Sequence, residues 1–258
     1  MKYLLLSFAF LLAASGIFAQ KTDSLHRKEL HVRGALSITN NGFSFIPSFT
    51  LGKPAAIVNL AVSGKGRFSF EPEFRYALEG KPWSFIFIWR YKVLKTRKFQ
   101  LTAGAHLPAL NFRTISVVKD GVPQDVIQST RFFPVLELAP NYMLRKNIGL
   151  GMFYLYGRGV DPGITRNTHF LALRANFMRI PLSEQFYLRF VPQFFYLKGD
   201  AKDGIYVASA LTLAHRKIPF ALSSLLNKAI DTTIPGKSLE WNISLLYTFG
   251  GDYVQQNL

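Results

Sequence analysis

Cysteine is absent from the chain. That excludes disulfides, thiol nucleophiles, thiolate metal sites and a lipid-modified cysteine anchor. Acidic residues are scarce, with 15 Asp and Glu against 31 Lys and Arg and a formal charge of +16. Beyond the N-terminus there is no apolar run of about 18 residues, the length that would mark a transmembrane helix. The five histidines, His26, His31, His106, His169 and His215, form neither an HxxxH nor an HxH spacing, so no metal site is expected. Gly52-Lys53-Pro54 and Gly64-Lys65-Gly66 fall short of a phosphate-binding loop and read as turns. No cofactor is implied.

Apolar and aromatic residues are abundant: 49% of the chain is hydrophobic, with 24 Phe and 11 Tyr. The chain opens MKYLLLSFAFLLAASGIFAQ. Lys2 supplies a positive start, Tyr3 to Ala14 an apolar stretch, and Ala13, Ala14, Ser15, Gly16 and Ala19 the small residues of a cleavage site. This pattern predicts a secretory signal peptide over 1–19, with Gln20 as the first mature residue. Export argues against a nucleic-acid partner, the usual inference from a basic chain. Residues 20–29 are polar and read as a flexible leader.

Strict two-residue alternation is clearest over 67–94. Phe68, Phe70, Pro72, Phe74 and Tyr76 share one face, and Arg67, Ser69, Glu71, Glu73 and Arg75 the other. After the link EGKP, Trp83, Phe85, Phe87, Trp89 and Tyr91 alternate with Ser84, Ile86, Ile88, Arg90 and Lys92. Such alternation means strands, and the Gly- and Pro-containing link makes them a hairpin. A bulky aromatic face opposite a charged one suits strands with lipid outside and water inside. In a membrane without a helical span, the remaining spanning structure is a closed barrel.

Alternating segments run over about 30–39, 43–51, 56–63, 67–78, 83–94, 99–110, 130–143, 148–157, 168–179, 186–197, 205–214, 218–228 and 239–249. That is one too many for an even-stranded barrel, and the surplus falls within 30–51. The expectation is an all-β, closed antiparallel transmembrane barrel of about twelve strands (ten to fourteen) over 30–249, followed by a periplasmic tail over 250–258. Links 111–129, 158–167 and 229–238 read as long outer loops and 144–147, 180–185 and 215–217 as short inner turns. The short turns carry Lys95, Arg97, Lys98, Arg145, Lys146, Arg216 and Lys217, as a basic ring or as ordinary solvated charges. A loose repeat recurs in FIPSF (45–49), FEPEF (70–74), FFPVL (132–136) and FVPQF (190–194). Its prolines predict bulges or gaps in the ladder.

The last alternating run, Trp241 to Phe249, ends in an aromatic. It resembles the C-terminal recognition strand of Gram-negative outer-membrane β-barrels, and the resemblance extends over the mature chain as pattern, porin-like in class. It implies the outer membrane as location, membrane lipid and lipopolysaccharide as surroundings, and the barrel-insertion machinery as a partner through that strand. The GGDYVQQNL tail departs from the family's terminal aromatic.

Lumen-lining candidates are Arg33, Glu71, Glu73, Arg75, Arg90, Lys92, His106, Arg131, Glu137, Arg174, Arg189 and Glu240, with Arg179, Asn141, Asn176, Gln193 and Asn242 on the same faces. Trp83, Trp89, Tyr91 and Trp241 are expected in aromatic girdles; Trp83 and Tyr91 would stand roughly 20 Å apart along the axis. Three functions stay open. The charges line an anion-biased pore for small polar solutes; or they pair and close a barrel that serves structure or partner binding; or the barrel is a lipid-modifying enzyme, which needs a Ser–His–acid set that no motif marks. Glu71 and Glu73 share a face, and an ion-pair ladder with Arg67 and Arg75 accounts for them without acid–base chemistry.

Overall fold

Twelve antiparallel strands close into one barrel. The computed structural model describes residues 29–119 and 121–254; the expected signal peptide and most of the leader lie outside them. The strands are β1 (Glu29–Thr39), β2 (Ala55–Gly64), β3 (Phe68–Ala77), β4 (Pro82–Lys95), β5 (Phe99–Lys119) and β6 (Val122–Arg145). They continue as β7 (Ile148–Gly159), β8 (Asn167–Pro181), β9 (Phe186–Gly199), β10 (Lys202–His215), β11 (Phe220–Thr232) and β12 (Leu239–Val254). Each strand pairs with its neighbour in sequence, and β12 closes on β1. A closed ladder leaves no unpaired edge, which is what a hydrocarbon solvent demands of a sheet.

The alternation sets the two surfaces. Phe68, Trp89, Tyr91, Leu136, Leu173, Phe194, Leu222 and Trp241 are exposed on the outside. Thr102, His106, Glu137, Asn227 and Asn242 are buried on the inside. Large apolar side chains left in contact with solvent around a whole barrel fit lipid, not water. Aromatics gather at the end with the short turns: Phe68 faces Tyr91, Phe99 faces Tyr142, and Phe220 faces Tyr247.

Three elements differ from the sequence reading, and the prolines agree with it. Residues 43–51 are not a wall strand. They belong to the β1–β2 connection, contain the 3-10 turn Pro47–Phe49 and fold into the lumen. This removes the thirteenth segment. Residues 111–129 are not a loop: β5 and β6 stay paired out to Lys119 and Val122, because Val, Ile and Thr there favour extended pairing. β12 runs on to Val254, past the expected end at 249. The prolines mark irregularities as their missing N–H requires. Pro72 sits where pairing to β2 lapses between Glu73 and Phe70, and Pro192 where pairing to β8 lapses between Gln193 and Phe190. Pro134 lies in the register shift between Phe132 and Val135.

Candidate functional site in the barrel lumen

The lumen is built in three levels. At the long-loop end, the segment between β1 and β2 dips inward. Phe45 packs against Phe170 and Phe195 with ring centroids 6.4 and 5.6 Å away, and Phe49 against Phe132 at 4.7 Å. Together with Leu155, Leu197 and Tyr206 these rings form the main buried cluster of the molecule. The wall holds the segment by polar bonds to its backbone. Trp83 Nε1 donates to the Phe49 carbonyl at 2.6 Å, and Asn111 Nδ2 and Arg113 Nη2 donate to the Ser48 carbonyl at 3.1 and 2.8 Å. Sequence reasoning missed this role for Phe43, Phe45 and Phe49. The available signal was turn chemistry on both sides, Asn40-Asn41-Gly42 before and Gly52-Lys53-Pro54 after, with Gly52 at φ +75°.

Trp83 is therefore not a girdle residue. It is 1% exposed and stacks under the Arg75 guanidinium, 4.9 Å from the ring centre. The cause is a register shift: Arg75 pairs with Ser84 but Tyr76 pairs with Pro82, leaving Trp83 as an extra residue. A bulge re-aims the side chain it carries, so Trp83 and Ser84 are both buried. Tyr76 is exposed at this end of the hairpin instead. Trp89, Tyr91 and Trp241 are exposed on the outer surface.

The middle level is an ion cluster spread over four consecutive strands. Arg90 of β4 donates through Nη1 to Glu71 of β3 and through Nε to Glu137 of β6. Its Nη2 reaches the second Glu137 oxygen at 3.3 Å. His106 Nε2 of β5 lies 2.9 Å from that oxygen, and Ser69 Oγ donates to Glu71 at 2.7 Å. Gly104 stands in register between Arg90 and Glu137. A Cβ there would meet Glu137 Cγ at 2.8 Å, so only glycine lets the carboxylate lie across β5. The Glu137 side chain is 1% exposed, and its buried charge is tolerable because every oxygen is paired. Glu73 and Arg75 form a separate pair at 2.5 Å. Among the described residues no Ser or Thr hydroxyl bonds to His106, so the His106–Glu137 pair has no nucleophile attached.

The inner level is basic. Lys92, Arg174, Arg179 and Arg189 face inward in the half nearer the short turns, and none has an acidic partner among the described residues. Arg189 donates to Tyr187 Oη at 3.0 Å, and Arg179 stacks on the same ring. Arg174 pairs in register with Gln193; its Nε and Gln193 Nε2 are buried without acceptors among the described residues. Arg33 lies at the mouth, bonded to Asp252 at 2.7 Å and to the Gly251 carbonyl. Glu240 is inward at the opposite end, in register with Asn227. Asn141, Asn176 and Asn242 are also inward. Arg131 is a correction. The shift at Phe132/Val135 inverts the alternation, and Arg131 pairs in register with outward Leu110 and binds Asp161 in the 160–166 loop at 2.8 Å.

A closed twelve-stranded antiparallel barrel, apolar outside and charged inside, is the architecture of the porin-like outer-membrane β-barrels, and an outer membrane is its place. Among solved structures the chain is similar to the KdgM porin in complex with disordered oligogalacturonate, at 8% identity and a TM-score of 0.52, over 85% of this chain and 99% of that one. It is similarly related to the KdgM porin alone, at 8% identity and a TM-score of 0.51 over the same shares. A weaker likeness is to the NanC porin, at 11% identity and 0.45, over 88% and 100%. These likenesses are of fold. No family model matches the sequence, and no curated protein does.

Proposed function

We propose that this barrel is a passage for small polar solutes, biased toward anions, and that residues 40–54 close it in the conformation described here. The observation that carries this reading is the character of the obstruction. The block at the outer half is one connection inserted from one side: its inserted tip is held to the wall through bonds to two carbonyls, of Phe49 and Ser48, and its base by bonds of Asn40 and Asn41 to β12 and of Lys53 to Glu79. A lumen filled by its own wall side chains would not have a removable element. The anion bias follows from the charges left over. Glu71, Glu73 and Glu137 are all paired, while Lys92, Arg174, Arg179 and Arg189 are not; at the outer end Arg113 and Lys202 outnumber the inward Glu240. A solute crossing the inner half meets unbalanced positive charge. The KdgM porin was solved with oligogalacturonate, a polymer of acidic sugars, which agrees with this bias. A reversal potential in a salt gradient tests it: anion preference supports the reading, and cation preference removes it.

A second reading, a permanently closed barrel that serves partner binding, is favoured by the packing of Phe45 and Phe49 in the buried cluster. Deleting 43–49 separates the two. Conductance after deletion but with no response of the intact chain to any solute favours the closed barrel. We further propose that the insertion machinery reads β12 through its Trp241–Phe249 run and that lipopolysaccharide contacts the outer rim.

A further inference from the structure

Two guanidiniums lie against the ring of Tyr187, which is buried near the short-turn end of the lumen. Arg179 of β8 stands 5.1 Å from the ring centre and Arg189 of β9 5.4 Å. A bulge brings them together. Phe177 pairs with Phe190 and Ile180 with Leu188, so Met178 and Arg179 oppose the single residue Arg189. Like charges facing each other across a strand pair are destabilising. The ring attracts both cations but cancels neither charge. Arg189 gives one hydrogen to Tyr187 Oη at 3.0 Å. Neither guanidinium has a carboxylate partner among the described residues. Glu184, in the turn that joins the two strands, is exposed and pairs with neither.

Both arginines are exposed and line a cleft of about 380 Å³. Asn147 and Asn176 add amides to it, Phe177, Met178 and Val191 border it, and no acid does. The inserted segment takes no part in it. A guanidinium is a planar fork of N–H donors that takes two oxygens of one anion. Two forks and two charges call for an anion with at least three oxygens and two charges. A phosphate monoester brings three acceptor oxygens and about −1.5 to −2 charge at neutral pH. A carboxylate brings two oxygens and one charge, and leaves one guanidinium unmatched. We infer that the cleft binds a small soluble phosphate monoester, its phosphate oxygens shared between Arg179 and Arg189 and its body against the two amides. The inference rests on the passage reading for the unbalanced charge of the inner half. It does not rest on conduction, because Asn147 of the β6–β7 turn places the cleft at the end of the lumen.

The test titrates the full chain, in nanodiscs of zwitterionic lipid, with glycerol 3-phosphate and reads binding by calorimetry. Dimethyl phosphate, with a single charge, and lactate, a carboxylate, are the comparison probes. The expected result is one saturable site per chain, about tenfold weaker for either comparison anion, as loss of one charge-assisted bond requires. Arg179→Gln and Arg189→Gln should each weaken it at least about tenfold, and either serves should the other not fold. Arg216→Gln, which removes a charge of the β10–β11 turn outside the cleft, should leave it unchanged. Equal weakening by Arg216→Gln overturns the site in favour of diffuse attraction to the basic rim. Equal affinity for lactate overturns the phosphate assignment. Loss of binding in nanodiscs that contain phosphatidic acid, a lipid phosphate monoester, makes a headgroup the occupant and overturns the soluble ligand. An anion-preferring reversal potential without saturable binding overturns the cleft and leaves the passage reading standing. Saturable binding beside cation preference upholds the cleft and removes the passage reading.

Discussion

Trp83 Nε1 reaches the carbonyl oxygen of Phe49 at 2.6 Å, joining the wall at β4 to the segment that fills the outer half of the lumen. The bond exists because a bulge turned a residue of the lipid-facing series inward. Trp83→Phe keeps most of the ring and removes the donor. The Phe49 carbonyl then loses its partner, a change of about 1–3 kcal/mol. The expected outcome is faster hydrogen exchange of the amides over 42–52 with unchanged exchange in β8 to β10. Unchanged exchange in the segment would mean that the bond does not hold it.

Glu137 is the most buried charge in the middle level, and both of its oxygens are engaged. Glu137→Gln removes the charge that Arg90 and His106 face. Breaking a buried pair from one side costs about 3–5 kcal/mol, and the surviving Glu71 contact offsets part of it. Urea unfolding in lipid bilayers should show that loss. Replacing Arg90 and Glu137 together by Met should cost less than the sum of the two single losses, since each single change strands the other member of the pair and the double change does not, leaving only Glu71 with Ser69 as its partner. Additive losses would show that the two side chains act separately.

Gly104 supplies the space in which Glu137 lies. Gly104→Ala puts a methyl against the Glu137 side chain and should destabilise the barrel by about 1–3 kcal/mol. Combined with Glu137→Ala, the same substitution should add almost nothing. Loss of stability in both backgrounds would place the need for glycine elsewhere.

Outside the membrane, Arg131 holds the Asp161 carboxyl below its ordinary value, first by the side-chain hydrogen bond and then by the backbone one. A carboxylate whose folded pKa is lowered adds stability that is present above its unfolded pKa and lost as pH falls through the lowered value. No change in the 160–166 loop is therefore expected between pH 5 and 8, and release is expected only in stronger acid. A carbon-detected titration of Asp161 should show the lowered midpoint in wild type and a higher one, nearer the ordinary value, in Arg131→Gln, which keeps only the backbone N–H bond. The same midpoint in both would remove Arg131 as the cause.

Much of the fold was legible because alternation is a direct record of which side chains meet lipid. The faces of 67–94 read correctly from Phe68 to Tyr76 and from Phe85 to Tyr91, and the strand count of twelve followed from rejecting one weak segment. The failures share one physical origin: alternation assumes an unbroken two-residue period. One extra residue at Trp83 and the shift beside Pro134 each inverted it, moving Trp83 in and Arg131 out. Pro134 announced the second shift; nothing local announced the first. FIPSF at 45–49 alternates like a strand, yet its partners are the rings Phe132, Phe170 and Phe195, far away in sequence. The meeting of Arg90 with Glu71 and Glu137 depended on register across β3 to β6, which single-strand patterns do not carry.

The central claim is that the segment between β1 and β2 closes a passage. Because the chain has no cysteine, Ser48→Cys with Asn111→Cys tethers the segment to β5 at a site where the two already touch, and a reductant releases it. Planar-bilayer recordings of this variant should be silent when oxidised and should show anion-preferring conductance on reduction, matching wild type. Conductance that is the same in both states, or absent from both and from wild type, would contradict the claim.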